Sequence, residues 1–262
     1  MSFSLHLDYD TWVHRLDART KIVVTSMLFV LALVFSDPAY LLVILGAVLL
    51  GMHTARALPN VRKLWVLLVL LFLYSSALWP FFVTGSTTMW MLGPLHVTRE
   101  GLLFGVGMGL RLNLMVISGL WLLSTTTVEA FAVGLQRLGI PASMGFAFSL
   151  AFRWVPTLLG AGSTIVQAQR SRGLDLSSGS VLDRLRRYPP LVVPLVGHVF
   201  RQTLLLATAL ESKGFGPGTP RTVYRSASFG WQDGVVLVGL GMLTGVSVWL
   251  RLHGFGAVQV GF

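Results

Sequence analysis

The sequence has no cysteine among its 262 residues, which excludes disulfides, cysteine-ligated zinc and thiol catalysis. Charge is also scarce: 11% of residues are Asp, Glu, Lys or Arg, against about 25% in an ordinary globular domain. With 54% hydrophobic residues and a mean hydropathy of +0.73, a cytosolic globular domain is excluded. Apolar runs of membrane-spanning length point instead to a polytopic integral membrane protein. Acids number 10 and bases 20, giving a formal charge of +10. In a membrane chain that excess reads as topology and as contact with the anionic lipid bilayer, so no nucleic-acid partner is expected. Lys21, Lys63 and Lys213 all lack the preceding glycine of a phosphate-binding G-x-x-x-x-G-K-[ST] loop, which removes that route to ATP hydrolysis. The six histidines show no metal-ligand spacing and the acids are scattered, so no catalytic residue, cofactor or metal is expected. No cleavable signal is expected either, since Asp8, Asp10 and Asp17 precede the first apolar run.

Five stretches read as membrane helices. Residues 22–35 and 39–52 flank Ser36-Asp37-Pro38, a capping and helix-breaking sequence, and predict a tight helical hairpin, with one long broken helix as the alternative, whose ends Thr20, Lys21 and His53 extend by snorkelling. Residues 64–83 form a span ending in the aromatic belt Trp79-Pro80-Phe81-Phe82. A polar loop over 84–100 leads to a span at 101–124, and the last span covers 229–250. The glycine clusters Gly105-Val-Gly107-Met-Gly109 and Gly239-Leu-Gly241 fall inside spans, where small residues let helices approach closely. Segments 1–21, 53–63 and 125–228 hold 17 of the 20 cations, so the positive-inside rule makes them cytoplasmic, with five crossings and the N-terminus inside.

Residues 125–228 look amphipathic. The stretch 125–138 places Val128, Phe131, Ala132, Leu135 and Leu138 on one face and stops at Gly139-Ile140-Pro141. Two longer helical patterns, 142–172 and 189–213, each contain an internal proline, Pro156 and Pro194, and are joined by a polar segment with a loop at 177–180 and a surface turn at 183–187. Each ends in Ser-cation-Gly: Ser171-Arg172-Gly173 and Ser212-Lys213-Gly214. Stripes Leu158, Ala161, Ile165, Ala168, Arg172 and Val196, Phe200, Thr203, Ala207, Leu210, Gly214 are heptad-like and suit two closely crossing helices. A C-cap explains a single such ending, with glycine in the left-handed position and the cation complementing the helix dipole. Two copies point further, to two docking points for a two-lobed partner. Arg111 and Arg153 are charges inside apolar helices; they either bond carbonyls or an acid such as Glu129 or Glu100, or bind substrate.

These motifs resemble the transmembrane T component of energy-coupling factor transporters, bacterial uptake systems related to ABC transporters. His14-Arg-Leu-Asp17-Ala-Arg19-Thr-Lys21 looks like that family's N-terminal signature. Leu123-Ser-Thr125-Thr126 with Leu135-x-x-Leu138-x-Ile140-Pro141 resembles its middle segment, and Phe152-Arg153-Trp-Val-Pro156 its Arg-x-x-Pro element. The two Ser-cation-Gly endings resemble its paired Ala-Arg-Gly motifs, with Ser for Ala in both and Lys for Arg in the second.

The resemblance implies an all-α polytopic membrane subunit of the bacterial inner membrane, with about five spanning helices plus cytoplasmic coupling helices. The spans and the cation distribution divide the chain into 1–124, 125–228 and 229–262. The resemblance implies two ABC-type ATPase subunits as partners, contacted by Ser171, Arg172, Gly173, Ser212, Lys213 and Gly214, and a membrane substrate-binding S component that determines whether a vitamin or a cobalt or nickel ion is taken up. The alternative is an independent secondary permease with Arg111, Arg153 and His198 along a polar path; against it, no inverted-repeat halves and no convergent acids are visible.

Overall fold

The computed structural model describes residues 9, 11–83, 88–92, 95–175, 180–215, 229–254 and 256. The chain divides into two compact units, Met1–Ile140 with Ala227–Phe262, and Pro141–Ser226. The protein is an all-α polytopic membrane protein, with one short antiparallel hairpin.

The first unit contains α1 (Trp12–Arg15), α2 (Ala18–Val34), α3 (Pro38–Thr54), α4 (Leu58–Lys63), α5 (Trp65–Leu78), α6 (Arg99–Thr125), α7 (Val128–Arg137) and α11 (Trp231–Leu252). Asp17 and Asp37 cap α2 and α3 by accepting the backbone N–H of Arg19 and Ala39, at 3.0 and 2.8 Å. Pro80 ends α5 in a 3₁₀ turn at Trp79–Phe81, and Thr98 caps α6 at Gly101. The predicted polar loop before α6 instead contains β1 (Thr88–Leu92) paired antiparallel with β2 (Leu95–Thr98). Thr88, Trp90, Val97 and Thr98 are residue types of high strand propensity, a signal that polarity alone concealed.

The long helices alternate in direction between two ends of this unit. One end gathers Lys21, Asn60, Ser124, Thr125 and Asp233, joined by Lys21 Nζ to the Thr125 carbonyl and by Asn60 Nδ2 to Ser124 Oγ. The other gathers Ser36, Asp37 and Gly256, where two backbone N–H groups donate to one carbonyl at 3.1 and 3.3 Å. Thus α2, α3, α5, α6 and α11 make five alternating passes, as the sequence suggested. Helix α6 is central, packing on α5, α3 and α2, while α11 packs on α2. The expected tight hairpin of α2 and α3 is not found: they flank an apolar groove lined by Leu28, Phe35, Val43 and Ile44, and α6 packs on both. The turn at Ser36-Asp37 reverses the chain, and α6 approaches it closely at Gly107.

Gly107 faces the Ser36 carbonyl so closely that a Cβ would clash with it, and a Cβ at Gly109 would lie 2.8 Å from the Phe72 ring. The close-packing role read for this glycine cluster therefore holds; Gly239 and Gly241, in contrast, have nothing within 4 Å. Gly107→Ala is expected to lower the thermal midpoint, because overpacking costs about 1–3 kcal/mol. Gly119→Ala, which meets nothing within 4 Å, is expected to raise it by roughly 0.5–1 kcal/mol of helix propensity. Thermal unfolding of both variants in detergent checks the opposite signs.

The second unit contains α8 (Ala142–Ser171), α9 (Val181–Arg186) and α10 (Pro189–Ser212). The predicted surface turn at 183–187 begins inside α9, because Ser180 and Asp183 cap it reciprocally. Hydrogen bonds from the Ser180 hydroxyl and backbone N–H hold the Asp183 carboxyl below the usual carboxylate range. The predicted loop at 177–180 lies, apart from Ser180, outside the described residues. Length and mean hydropathy allow α6, α8, α10 and α11 each to cross a bilayer, so α8 and α10, read from the sequence as cytoplasmic, are as long and apolar as spanning helices.

Candidate functional site

Helices α8 and α10 run antiparallel. Phe146 near the start of α8 meets Phe215 just after α10, with ring centroids 4.6 Å apart. Gln169 near the end of α8 donates to the Pro190 carbonyl at the start of α10, 3.3 Å away. The two Ser-cation-Gly endings therefore sit at opposite ends of the pair, separated by about 40 Å at 1.5 Å per residue of helix.

Both endings have the same local geometry. Gly173 and Gly214 adopt φ of +87° and +71°, a conformation a Cβ disfavours. At the first ending Gly173 N donates to the Arg170 carbonyl at 2.9 Å and Leu174 N to Gln169 at 3.0 Å. At the second, Gly214 N donates to Glu211 at 2.9 Å and Phe215 N to Leu210 at 2.8 Å. These are Schellman caps, which satisfy carbonyls that the helix leaves orphaned. Helix α7 ends the same way at Gly139, φ +109°, so the cap alone does not distinguish the two endings. The residue before the glycine does: it is an exposed cation, Arg172 or Lys213, at these two endings and Leu138 at the third, while a Cβ at any of the three glycines would meet nothing within 4 Å. Ser171 and Ser212 donate their hydroxyls back to Gln167 and Ala209, so each serine presents little more than an alanine would.

The heptad-like stripes hold only in part. On α8, Leu158, Ala161 and Ile165 are half-buried, but the inward position after them is Gln169, while Ala168 and Arg172 are exposed. On α10 the inward face is Leu191, Leu195, Val199, Leu206 and Leu210, and Val196, Phe200, Thr203 and Ala207 are exposed. Both faces of α10 are apolar, so periodicity had no contrast with which to choose between them.

Of the intramembrane cations, Arg111 donates to the Ala32 and Phe35 carbonyls at 2.9 and 2.7 Å and to Ser36 Oγ at 3.3 Å. It thereby satisfies the last turn of α2, the structural role weighed from the sequence, with carbonyls as its partners. Arg153 and His198 line a cleft in the other unit.

A buried charge cluster was not recognised as such in the sequence. Lys21 is 2% exposed and does not snorkel: its Nζ donates to the carbonyls of His14 and Thr125 at 3.1 and 2.8 Å. Asp17 and Asp233, each also 2% exposed, lie within electrostatic range of it. Asp233 accepts the N–H of Asp17 at 2.9 Å and of Gly230 at 2.8 Å, and Arg137 approaches Asp17 to 3.7 Å. Two carboxylates and two cations from α2, α7, α11 and the residue capping α2 thus neutralise one another, with the last turn of α6 as acceptor. The acid Asp233 sits 216 residues from its partner Asp17, a separation no local pattern bridges.

Residues 9–224 match the family model described as CbiQ, cobalt transport protein. The chain is 33% identical to the energy-coupling factor transporter transmembrane protein of Thermosediminibacter oceani, over 91% of this chain and 93% of that protein. It is 32% identical to the protein of the same description from Lacticaseibacillus paracasei, over 92% and 95% of the two chains. A third, from Acidaminococcus fermentans, is 31% identical over 88% of each.

Proposed function

Because the chain belongs to the family of CbiQ cobalt transport proteins and energy-coupling factor transporter transmembrane proteins, we propose that it couples ATP hydrolysis in two partner ATPase subunits to a membrane substrate-binding S component. It does so without an active site of its own. The substrate is a vitamin or a transition-metal ion, selected by the S component. The observation that carries this reading is the antiparallel α8–α10 pair, whose two capped endings face away from each other, each with an exposed cation beside an unobstructed glycine. Two equivalent docking points about 40 Å apart suit a partner made of two similar lobes, and closing such a partner would pull on both ends of one rigid helix pair. Arg172 and Lys213 supply charge-assisted contacts, and Gly173 and Gly214 let the partner surface approach the backbone. Co-expression with ATPase chains tests the reading: the wild-type chain is expected to co-purify with two ATPase subunits, and purification as a lone, transport-competent chain would refute it.

If glycine only ends each helix, Gly173→Ala should cost roughly 1 kcal/mol through left-handed strain and little else. In the docking role the added methyl also wedges the interface. Gly173→Ala is accordingly expected to reduce ATP hydrolysis coupled to transport more than it reduces the thermal midpoint of the isolated subunit, and more than Gly214→Ala does. Reconstituted ATPase and uptake assays beside thermal unfolding check it.

The membrane is the bacterial inner membrane, with the N-terminus and the second unit on the cytoplasmic side, as the distribution of cations supports. The absence of native cysteine makes this directly testable. An impermeant thiol reagent applied to intact cells is expected to label Arg99→Cys, at the Ser36 end of the first unit, and to leave Ser180→Cys unlabelled. The reverse pattern would invert the topology.

A further inference from the structure

We infer that the cleft between α8 and α10 binds the phosphodiester headgroup of an anionic phospholipid. The cleft has a volume of about 370 Å³ and is lined by Arg153, Trp154 and Thr157 of α8 and by His198, Gln202 and Leu205 of α10, among others. Its polar groups are five: a guanidinium, an indole N–H, an imidazole, a hydroxyl and a carboxamide. All can donate hydrogen bonds, and no acid lines the cleft. Among the described residues none of these five side chains has a hydrogen-bond or ion-pair partner, although they stand on two packed helices. This set of donors, exposed at Arg153, Thr157 and Gln202 and half-buried at His198, has no acid beside it and so suits an anion that approaches from the surface.

The size and surroundings of the cleft select the kind of anion. At about 30 Å³ per water it has room for roughly twelve waters, several times the bulk of one carboxylate. Half of its wall is apolar, and the flanking helix surfaces expose Phe152, Leu159, Phe200 and Leu204 to between 48% and 72%. An amphiphile with a negative headgroup and hydrocarbon tails fits that juxtaposition of cation and apolar surface. The whole unit favours such a ligand, since residues 141–226 hold ten Lys and Arg against three Asp and Glu. Arg153 supplies the planar fork that matches two phosphate oxygens, and Gln202 and Thr157 supply neutral donors beside it. This assignment concerns the chain alone and does not depend on the ATPase docking proposed above.

The test uses the full chain purified from nanodiscs of equal parts phosphatidylglycerol and phosphatidylcholine, with retained lipid counted by native mass spectrometry. Wild type is expected to retain phosphatidylglycerol selectively, and Arg153→Ala to weaken that retention about tenfold, the loss of one charge-assisted contact. Arg153→Lys should be intermediate. Arg201→Ala removes an exposed cation of α10 outside the cleft and should leave retention unchanged. Gln202→Leu keeps the charge but removes a donor and should weaken retention in a chain of wild-type thermal midpoint. Unchanged retention in both Arg153→Ala and Gln202→Leu would overturn the assignment. Displacement of the lipid by millimolar inorganic phosphate would identify a free-phosphate site instead, and loss of a co-purifying membrane protein without loss of lipid would identify a carboxylate partner; either result refutes the lipid headgroup.

Discussion

Lys21→Met is expected to cost about 3–5 kcal/mol, the penalty for removing one partner from a buried ionic group, and to prevent stable accumulation of the protein. The substitution keeps most of the side-chain volume, so packing is nearly conserved. It deletes the donor to the His14 and Thr125 carbonyls and leaves Asp17, which Arg137 approaches, and Asp233, both 2% exposed, without the Lys21 charge. Because the defect is one of charge balance, Lys21→Met combined with Asp233→Asn should be more stable than the sum of the two single changes, by 1 kcal/mol or more on the order of typical coupling energies. Asn at 233 still offers an acceptor to the Asp17 N–H. Thermal unfolding of the four proteins in detergent measures the coupling, and strict additivity would show that Lys21 acts through packing alone.

Arg172→Glu is expected to abolish ATPase attachment and uptake while leaving the subunit folded. Its guanidinium is exposed on a capped helix end, so stability has little to lose. A charge-assisted contact is worth about 1.5–3 kcal/mol, and reversal turns attraction into repulsion, so attachment should weaken by at least about tenfold to a hundredfold. Lys213→Glu should have the smaller effect, since an ammonium is a point charge without the fork that fixes orientation. Co-purification and uptake measure the effect, with the thermal midpoint as control. Wild-type attachment by Arg172→Glu would end the docking reading of this motif.

Element existence was legible in the sequence because it rests on local chemistry. The stop at Ser36-Asp37-Pro38 and the glycine endings at 173 and 214 appear in the structure where short-range sequence placed them. The same reasoning could not see α4, the β-hairpin or the start of α9, whose signals are shorter than the window over which periodicity is read. It also misassigned the inward face of α10, since two apolar faces on one helix give no contrast.

The sequence by itself determined that this chain is an all-α membrane protein and which two helix endings are twins, because composition, hydropathy and motif are properties of neighbouring residues. Only the tertiary structure decided that the twin endings lie at opposite ends of an antiparallel pair, that Arg111 serves the carbonyls of α2, and that Lys21 is buried with Asp17 and Asp233. Each of these joins groups on different helices across many residues of chain. In a low-dielectric interior a charge or an orphaned carbonyl must find a partner, and which partner it finds depends on how the helices assemble.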